Sequence, residues 1–283
     1  MWRLFLMLFL VAPPALAGGE PLRVFVSVVP LKTFVERIGG DAVTVTAMVG
    51  PGHDPHTYDP APRRIGALTE AQLYIRVGLP FEHTWMTRFA AVNPSMEVMD
   101  ARAGLNLATD HDHAGHDHGA AGHDPHVWTD PLLVKRMAAD IRDTLGRLDP
   151  DNARAFAANY QDFAAELDAL HADIQALFPP PANRRFMVYH PAWSHFAARY
   201  DLIQMAIEQE GKEPGARTLS TLIEEARHHD VRVIFVQPQM DKRLAERLAR
   251  EIDGRVVVMD PLAADYGATL RRAARLIAGN DTP

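Results

Sequence analysis

Short β-rich runs alternate with amphipathic segments along this chain, and the alternation occurs twice. The β-rich runs are 22–29, 42–49, 72–77 and 96–99, and then 185–190, 202–206, 231–236 and 255–260. Alternation of this kind favours βα units and a largely parallel sheet. The pattern therefore predicts an α/β protein with two βα lobes, each built on a four-stranded, largely parallel sheet.

A long amphipathic helix is predicted between the two lobes, over residues 149–178. Asp149, Pro150 and Asp151 are typical of a helix start, and three consecutive prolines from Pro179 end it. Between these ends, large apolar residues recur at spacings of four and three, as on one face of a helix. They are Phe156, Tyr160, Phe163, Leu167, Leu170, Ile174 and Leu177. We interpret this helix as a stiff bridge between lobes; the alternative is a long core helix of one domain.

The beginning of the chain has the features of a secretory signal peptide, predicted over residues 1–17. Arg3 precedes an apolar run at 4–12, which is too short to cross a bilayer, and small residues follow at Ala15 and Ala17. We expect an exported protein that is soluble in the periplasm after cleavage. The chain contains no cysteine, which excludes disulfides and thiolate metal ligands.

The net charge limits the expected partners, and the positions of the predicted elements define the expected domains. The net charge is -7, from 29 basic and 36 acidic residues. Nucleic-acid binding needs a concentrated basic face, so this class of partner is excluded. We expect a monomer with an N-terminal lobe over 18–148, the linking helix over 149–178 and a C-terminal lobe over 179–283.

Six of the 14 histidines lie in "HDHAGHDHGAAGHDPHVWTDP", residues 111–131, and they are of two kinds. Five stand among Asp, Gly and Ala without apolar anchors, so we expect a mobile loop over 110–124. Such His-rich tracts bind zinc weakly, although an accident of composition is the alternative. These five are His111, His113, His116, His118 and His123. His126 differs, because the apolar residues and the helix start that follow it give its imidazole a fixed position.

Four residues are candidates for one ordered metal site. His56 lies in a turn-rich loop after the second strand, His126 precedes a helix start, and His190 and Asp260 each end a predicted strand. Ligands of open α/β sheets bind at the carboxyl ends of strands, so these residues could converge between the lobes. Three neutral imidazoles and one carboxylate suit tetrahedral Zn²⁺, whereas manganese prefers more oxygen ligands. Four protein ligands also leave no open position for hydrolytic chemistry.

Several segments of the chain resemble the ZnuA-like family, the metal-binding (cluster A-I) solute-binding proteins of zinc ABC importers. They are "VSVVPLKTFVERIGGD", "PGHDPHTYDPAPRRI", "DPHVWTDP", "VYHPAWSHFAARYDL", "EQEGKEPGARTLSTLI" and "VVVMDPLA". The resemblance implies two βα lobes bridged by one helix, with zinc delivered to a membrane permease that works with a cytoplasmic ATPase. It implies His56, His126 and His190 as histidine ligands and Asp260 as the carboxylate. Manganese-preferring relatives carry an acid in place of His190, and zinc members typically have a His-rich insertion before the second ligand.

The chain departs from the family pattern at a few points. Pro55 stands before His56, where some relatives carry an acid, and the cysteines of some relatives are absent. His53 is assigned to the loop or to a supporting role, and His195 to a structural one. The remaining histidines fall on predicted helices and are expected at the surface; they are His83, His171, His228 and His229. Three functions stay open as alternatives: a manganese importer component, a periplasmic zinc buffer and a zinc hydrolase, the last without a recognisable HExxH motif.

Overall fold

Each half of the chain forms one parallel sheet in this computed structural model, which describes residues 19–105, 107, 124–180, 182, 184–208 and 212–279. The strands are β1 (Leu22–Val26), β2 (Val43–Ala47), β3 (Leu73–Arg76), β4 (Glu97–Asp100), β5 (Arg184–Val188), β6 (Leu202–Ala206), β7 (Val233–Val236) and β8 (Arg255–Val258). The sheets have the orders β2-β1-β3-β4 and β6-β5-β7-β8. Every described strand pair is parallel. The predicted fold class is thereby confirmed, with the same topology in both lobes.

Within each sheet, helices return the chain between successive parallel strands, as this topology requires. The helices are α1 (Val29–Gly39), α2 (Pro62–Gly66), α3 (Pro80–Val92), α4 (Pro131–Leu148), α5 (Ala153–Gln175), α6 (Ser194–Arg199), α7 (Ala216–His228), α8 (Arg243–Glu251) and α9 (Tyr266–Ala278). Of these, α4 and α5 connect the two sheets, and α9 follows the last strand. Proline occupies the first turn of α1, α2, α3 and α4. It is tolerated there because the first amides of a helix have no partner within it.

The linking helix α5 is shorter than predicted. Its 23 residues correspond to about 35 Å. The Asp149 side chain accepts the N–H of Asn152, which stabilises a separate 3₁₀ turn before α5 begins. Most of the predicted stripe is buried, while Tyr160 and Leu177 are only partly buried.

One apolar core runs through both lobes. Phe186 and Val188 of β5 belong to the same core as the first sheet and α5. Met187 and Tyr189 point to the other face of the second sheet and pack in a separate core with residues of α8. Because side chains of a strand alternate between faces, β5 contributes to both cores. The helix α5 is therefore both a bridge between lobes and part of a continuous core.

Two predicted segments lie outside the described residues. They are the predicted signal peptide, 1–17, and the predicted His-rich loop, 110–124, of which only Asp124 is described. Its five histidines therefore stay a sequence-based prediction. Over the part of the chain that is described, no helix has the length and apolar character needed to span a membrane.

Candidate metal centre

Three of the four predicted ligands meet between the lobes. His56 follows β2 in a loop, His126 precedes a 3₁₀ turn at Val127–Thr129, and His190 lies two residues beyond β5. One nitrogen of each ring lies within 4.8 Å of the other two. The Nε2 atoms of His56 and His126 are 3.3 Å apart. The three rings therefore direct nitrogen atoms at a common point.

The spacing of these nitrogens suits a tetrahedral metal ion. Zinc–nitrogen bonds of about 2.0–2.1 Å place two ligand nitrogens about 3.3 Å apart at the tetrahedral angle. The Nε2 atom of His190 is buried and has no hydrogen-bond partner among the described residues. A buried polar atom without a partner is costly unless something else binds it, and a cation at this point would do so.

The turns that carry His56 and His126 are built in the same way. The tetrapeptide His-Asp-Pro-His occurs at 53–56 and again at 123–126. In each copy, the aspartate Oδ1 accepts the N–H of the second histidine at 2.9 Å; Asp54 pairs with His56, and Asp124 pairs with His126. This Asx turn fixes the backbone of the second histidine relative to the residues before it.

Carboxylates orient two of the three rings. Asp124 Oδ1 lies 2.6 Å from Nδ1 of His126, and Glu208 Oε1 lies 3.3 Å from Nδ1 of His190. An ionised carboxylate can only accept, so each Nδ1 carries the proton and each Nε2 has a free lone pair. Sequence reasoning missed both acids. The repeated tetrapeptide was a signal for Asp124, and for Glu208 the signal was its position two residues beyond β6.

Burial keeps His56 and His126 uncharged. Loss of solvation, together with the nearby His126 and His190, lowers the pKa of His56 to about 3. Burial also lowers the pKa of His126, although Asp124 opposes the effect. Burial alone would raise the pKa of Asp124, but the charge and hydrogen bonds of His126 bring it below its usual range. His56 and His126 are thus neutral at neutral pH, the form that binds metals.

Asp260, two residues beyond β8, is not a member of this cluster. Its Oδ1 accepts the N–H of Leu262 at 2.9 Å, and burial raises the pKa of its carboxyl group. The next residue, Pro261, accepts a hydrogen bond from Nε1 of Trp128 at 2.9 Å. The backbone next to Asp260 is therefore bonded to the segment that carries His126, while the carboxylate lies outside the group of three nitrogens.

The other histidines among the described residues lie outside the cluster. His53 is exposed, with Nδ1 3.2 Å from the carbonyl of Pro51, and it packs edge-on against Tyr58. His195 donates from Nε2 to the backbone carbonyl of Asp124 at 3.0 Å. His83 on α3 is exposed, as predicted.

The surface prediction fails for two of the remaining histidines. His228 is exposed, but His171 and His229 are partly buried. Nδ1 of His171 lies 3.3 Å from the hydroxyl of Tyr200, the residue that follows α6, and the two rings stack. His229 follows α7, and its Nδ1 lies 3.3 Å from the guanidinium of Arg185 on β5.

Two parallel α/β lobes joined by a long helix, with three clustered imidazoles between them, define a two-lobed metal-binding protein. A family model described as "Zinc-uptake complex component A periplasmic" (ZnuA) matches residues 24–279. The chain belongs to this family. Its members are components of uptake systems and not enzymes, which agrees with the expectation that a metal shell closed by four protein ligands carries no hydrolytic chemistry.

The chain is also similar to individual zinc-binding proteins and to solved structures of ZnuA. The high-affinity zinc uptake system protein ZnuA of Bacillus subtilis is 27% identical over 261 residues, which cover 86% of this chain and 79% of that protein. The zinc-binding lipoprotein AdcA of Streptococcus pneumoniae is also 27% identical. The match covers 87% of this chain but only 51% of AdcA, which is the longer protein. A crystal structure of ZnuA superposes with a TM-score of 0.84 and 38% identity, covering 93% of this chain and 100% of that one. A ZnuA deletion variant solved with zinc bound gives 0.85 and 37%, covering 93% and 99%.

Proposed function

We propose that this protein binds Zn²⁺ in the periplasm and delivers it to the membrane permease of an ABC importer, which works with a cytoplasmic ATPase. The observation that carries the proposal is the group of three histidine nitrogens within 4.8 Å of one another, buried between the lobes. Zinc uptake is the function named for the Bacillus subtilis relative, and zinc is bound in the crystal structure of the ZnuA deletion variant. Three nitrogen ligands favour zinc over manganese, which prefers oxygen.

The proposed ligands are His56, His126, His190 and Asp260. The position of Asp260 two residues beyond β8, and the bond between its neighbour Pro261 and Trp128, support its place as the fourth ligand. Its negative charge would reduce the charge of the loaded site from +2 to +1, which lowers the cost of holding the ion away from water. A shell closed by four protein ligands suits carriage of zinc, because no position is left for a reactive water.

Two further parts of the proposal concern residues outside the described structure. Residues 1–17 direct export and are removed, which leaves a soluble, monomeric periplasmic protein. The His-rich loop binds zinc weakly and raises the zinc concentration near the central site, which is formed by His56, His126, His190 and Asp260. The histidines of this loop are His111, His113, His116, His118 and His123. The permease takes the ion from the central site.

A chelator-competition titration of residues 18–283 tests the central site. We expect one tight Zn²⁺ site in the unaltered chain and its loss in His56→Ala, because that change removes a nitrogen ligand from the cluster. His83→Ala is the matched control, since His83 is exposed on α3, outside the cluster, and its removal should leave the tight site unchanged. Tight binding that persists in His56→Ala would contradict the proposed site.

The same titration separates the remaining parts of the site. Asp260→Ala should weaken the tight site without removing the weaker ones. Deletion of 111–123 should remove the weaker sites and keep the tight one. If the deletion removed the tight site instead, the central cluster would not be the principal binding site.

A further inference from the structure

The segment 124–130, which carries His126, is bonded to the second lobe at three points. His195 donates to the backbone carbonyl of Asp124 at 3.0 Å. The guanidinium of Arg199 contacts the carboxylate of Asp130 through Nε, at 3.0 and 2.9 Å, and through Nη2 at 2.7 Å. The indole of Trp128 donates to the carbonyl of Pro261. Although this segment precedes α4 of the first lobe in sequence, its ends are attached to the second lobe.

Two of these contacts come from one short helix. His195 and Arg199 are four residues apart on α6 and therefore project from the same face. The helix begins four residues after His190, so it connects one ligand of the proposed site to the segment that carries another. Asp130 is buried, with a side chain only 4% exposed, and its charge is balanced by Arg199. Loss of Arg199 would leave the Asp130 carboxylate buried without a partner, which would strongly destabilise the folded protein. The ion pair therefore holds the segment in place.

A continuous series of contacts leads from α6 to the proposed zinc position. His195 holds the backbone of Asp124, and the carboxylate of Asp124 holds Nδ1 of His126. The Nε2 atom of His126 then lies 3.3 Å from Nε2 of His56 at the centre of the cluster. A shift of the Asp124 backbone would move the ring that Asp124 orients.

We infer that His195 and Arg199 are positioning residues for His126, so that α6 sets the zinc affinity without contacting the ion. The inference rests on the proposed function, because it assumes that His126 binds zinc. Partners that orient metal ligands contribute about 10–100-fold to metal affinity. Since His195 acts through Asp124, its contribution belongs at the lower end of this range.

The first test compares zinc affinities by chelator competition. His195→Ala should bind zinc about tenfold more weakly, because the Asp124 backbone loses its donor. His195→Gln should recover most of the affinity, because the glutamine amide can donate to the same carbonyl. Arg199→Gln, which breaks the ion pair with Asp130, should also weaken binding. His171→Ala is the matched control: it removes a partly buried histidine that contacts Tyr200 but not the segment 124–130.

A double-mutant cycle then separates positioning from general destabilisation. If His195 acts through His126, the change His195→Ala should cost no further affinity in a His126→Ala background. Equal losses in both backgrounds, unchanged affinity in His195→Ala, or an equal loss in His171→Ala would overturn the inference. In each of these cases, tight binding by the unaltered chain would leave the proposed function standing. Absence of tight binding in the unaltered chain would instead overturn the proposed function.

Discussion

At the scale of single residues, the burial of His56 makes the stability of the folded protein depend on pH. The pKa of His56 is about 3 in the folded protein, against 6.5 for an unperturbed side chain. As the pH falls below 6.5, the unfolded chain takes up the proton first, so the zinc-free folded protein loses stability down to about pH 3. For one proton, the free energy of unfolding should fall by up to about 1.4 kcal/mol per pH unit. The fall should be less steep in His56→Ala.

Urea denaturation of the zinc-free protein at several pH values between about 7 and 4 measures this slope. His83→Ala is the control, because it also removes one histidine but from an exposed position on α3. It should keep the slope of the unaltered chain. Equal slopes in all three proteins would show that His56 titrates in the folded state as it does in the unfolded chain.

The sequence predicts the three clustered histidines better than the acids that orient them. His56 and His190 were found because each follows a strand, and the carboxyl ends of parallel strands meet at one edge of a sheet. Glu208 approaches His190 across 18 positions of sequence, through the pairing of β5 with β6. Strand order within a sheet is a tertiary property, so the position of Glu208 after β6 places it at the sheet edge but does not show which residue it contacts.

At the scale of elements, the helix α5 should contribute strongly to stability because it is part of the continuous core. Leu167 is 1% exposed in that core. Leu167→Ala should lower the free energy of unfolding by about 2–5 kcal/mol, through lost apolar burial and the cavity left behind. Chemical denaturation measures the change, with Gln161→Ala on the exposed face of the same helix as control. A change below about 1 kcal/mol would mean that α5 merely connects the lobes.

The bounds of elements were predicted less accurately than their type. The apolar period extends to Leu177, but α5 ends at Gln175. Phe178 is nevertheless buried, so an apolar side chain can belong to the core after the helix has ended. At the other end, capping by Asp149 favours a 3₁₀ turn at Pro150–Asn152. Apolar spacing reports which face is buried, whereas the cap decides where a helix begins and ends.

At the scale of the whole molecule, the repeated alternation of strands and helices predicts the two lobes. It does not predict that the segment 124–130 is hydrogen-bonded to the second lobe. The sequence divides the proposed ligands equally, with His56 and His126 in the first lobe and His190 and Asp260 in the second. The hydrogen bonds of the segment 124–130 instead attach His126 to the second lobe. These bonds join residues up to 133 positions apart, a distance over which no sequence pattern was visible.

The hydrogen bonds between the segment 124–130 and the second lobe predict where zinc binding should slow amide hydrogen exchange most. The turn that carries His56 is stabilised by Asp54 within its own loop, and its neighbours Gly52, His53 and Thr57 are exposed. The segment after His126 is buried and is hydrogen-bonded to the second lobe through Trp128 and Asp130. Zinc should therefore slow amide hydrogen exchange more in a peptide covering 50–60 than in one covering 127–135.

Hydrogen exchange followed by mass spectrometry, on zinc-free and zinc-loaded protein, makes this comparison. A peptide covering 80–92 in α3 is the control, because it lies outside the cluster and should not change. Greater protection at 127–135 would mean that the second-lobe contacts do not hold His126 in the zinc-free protein. Greater protection at 50–60 would mean that zinc joins a mobile His56 turn to a fixed half-site, so that release of the ion requires only the movement of that turn.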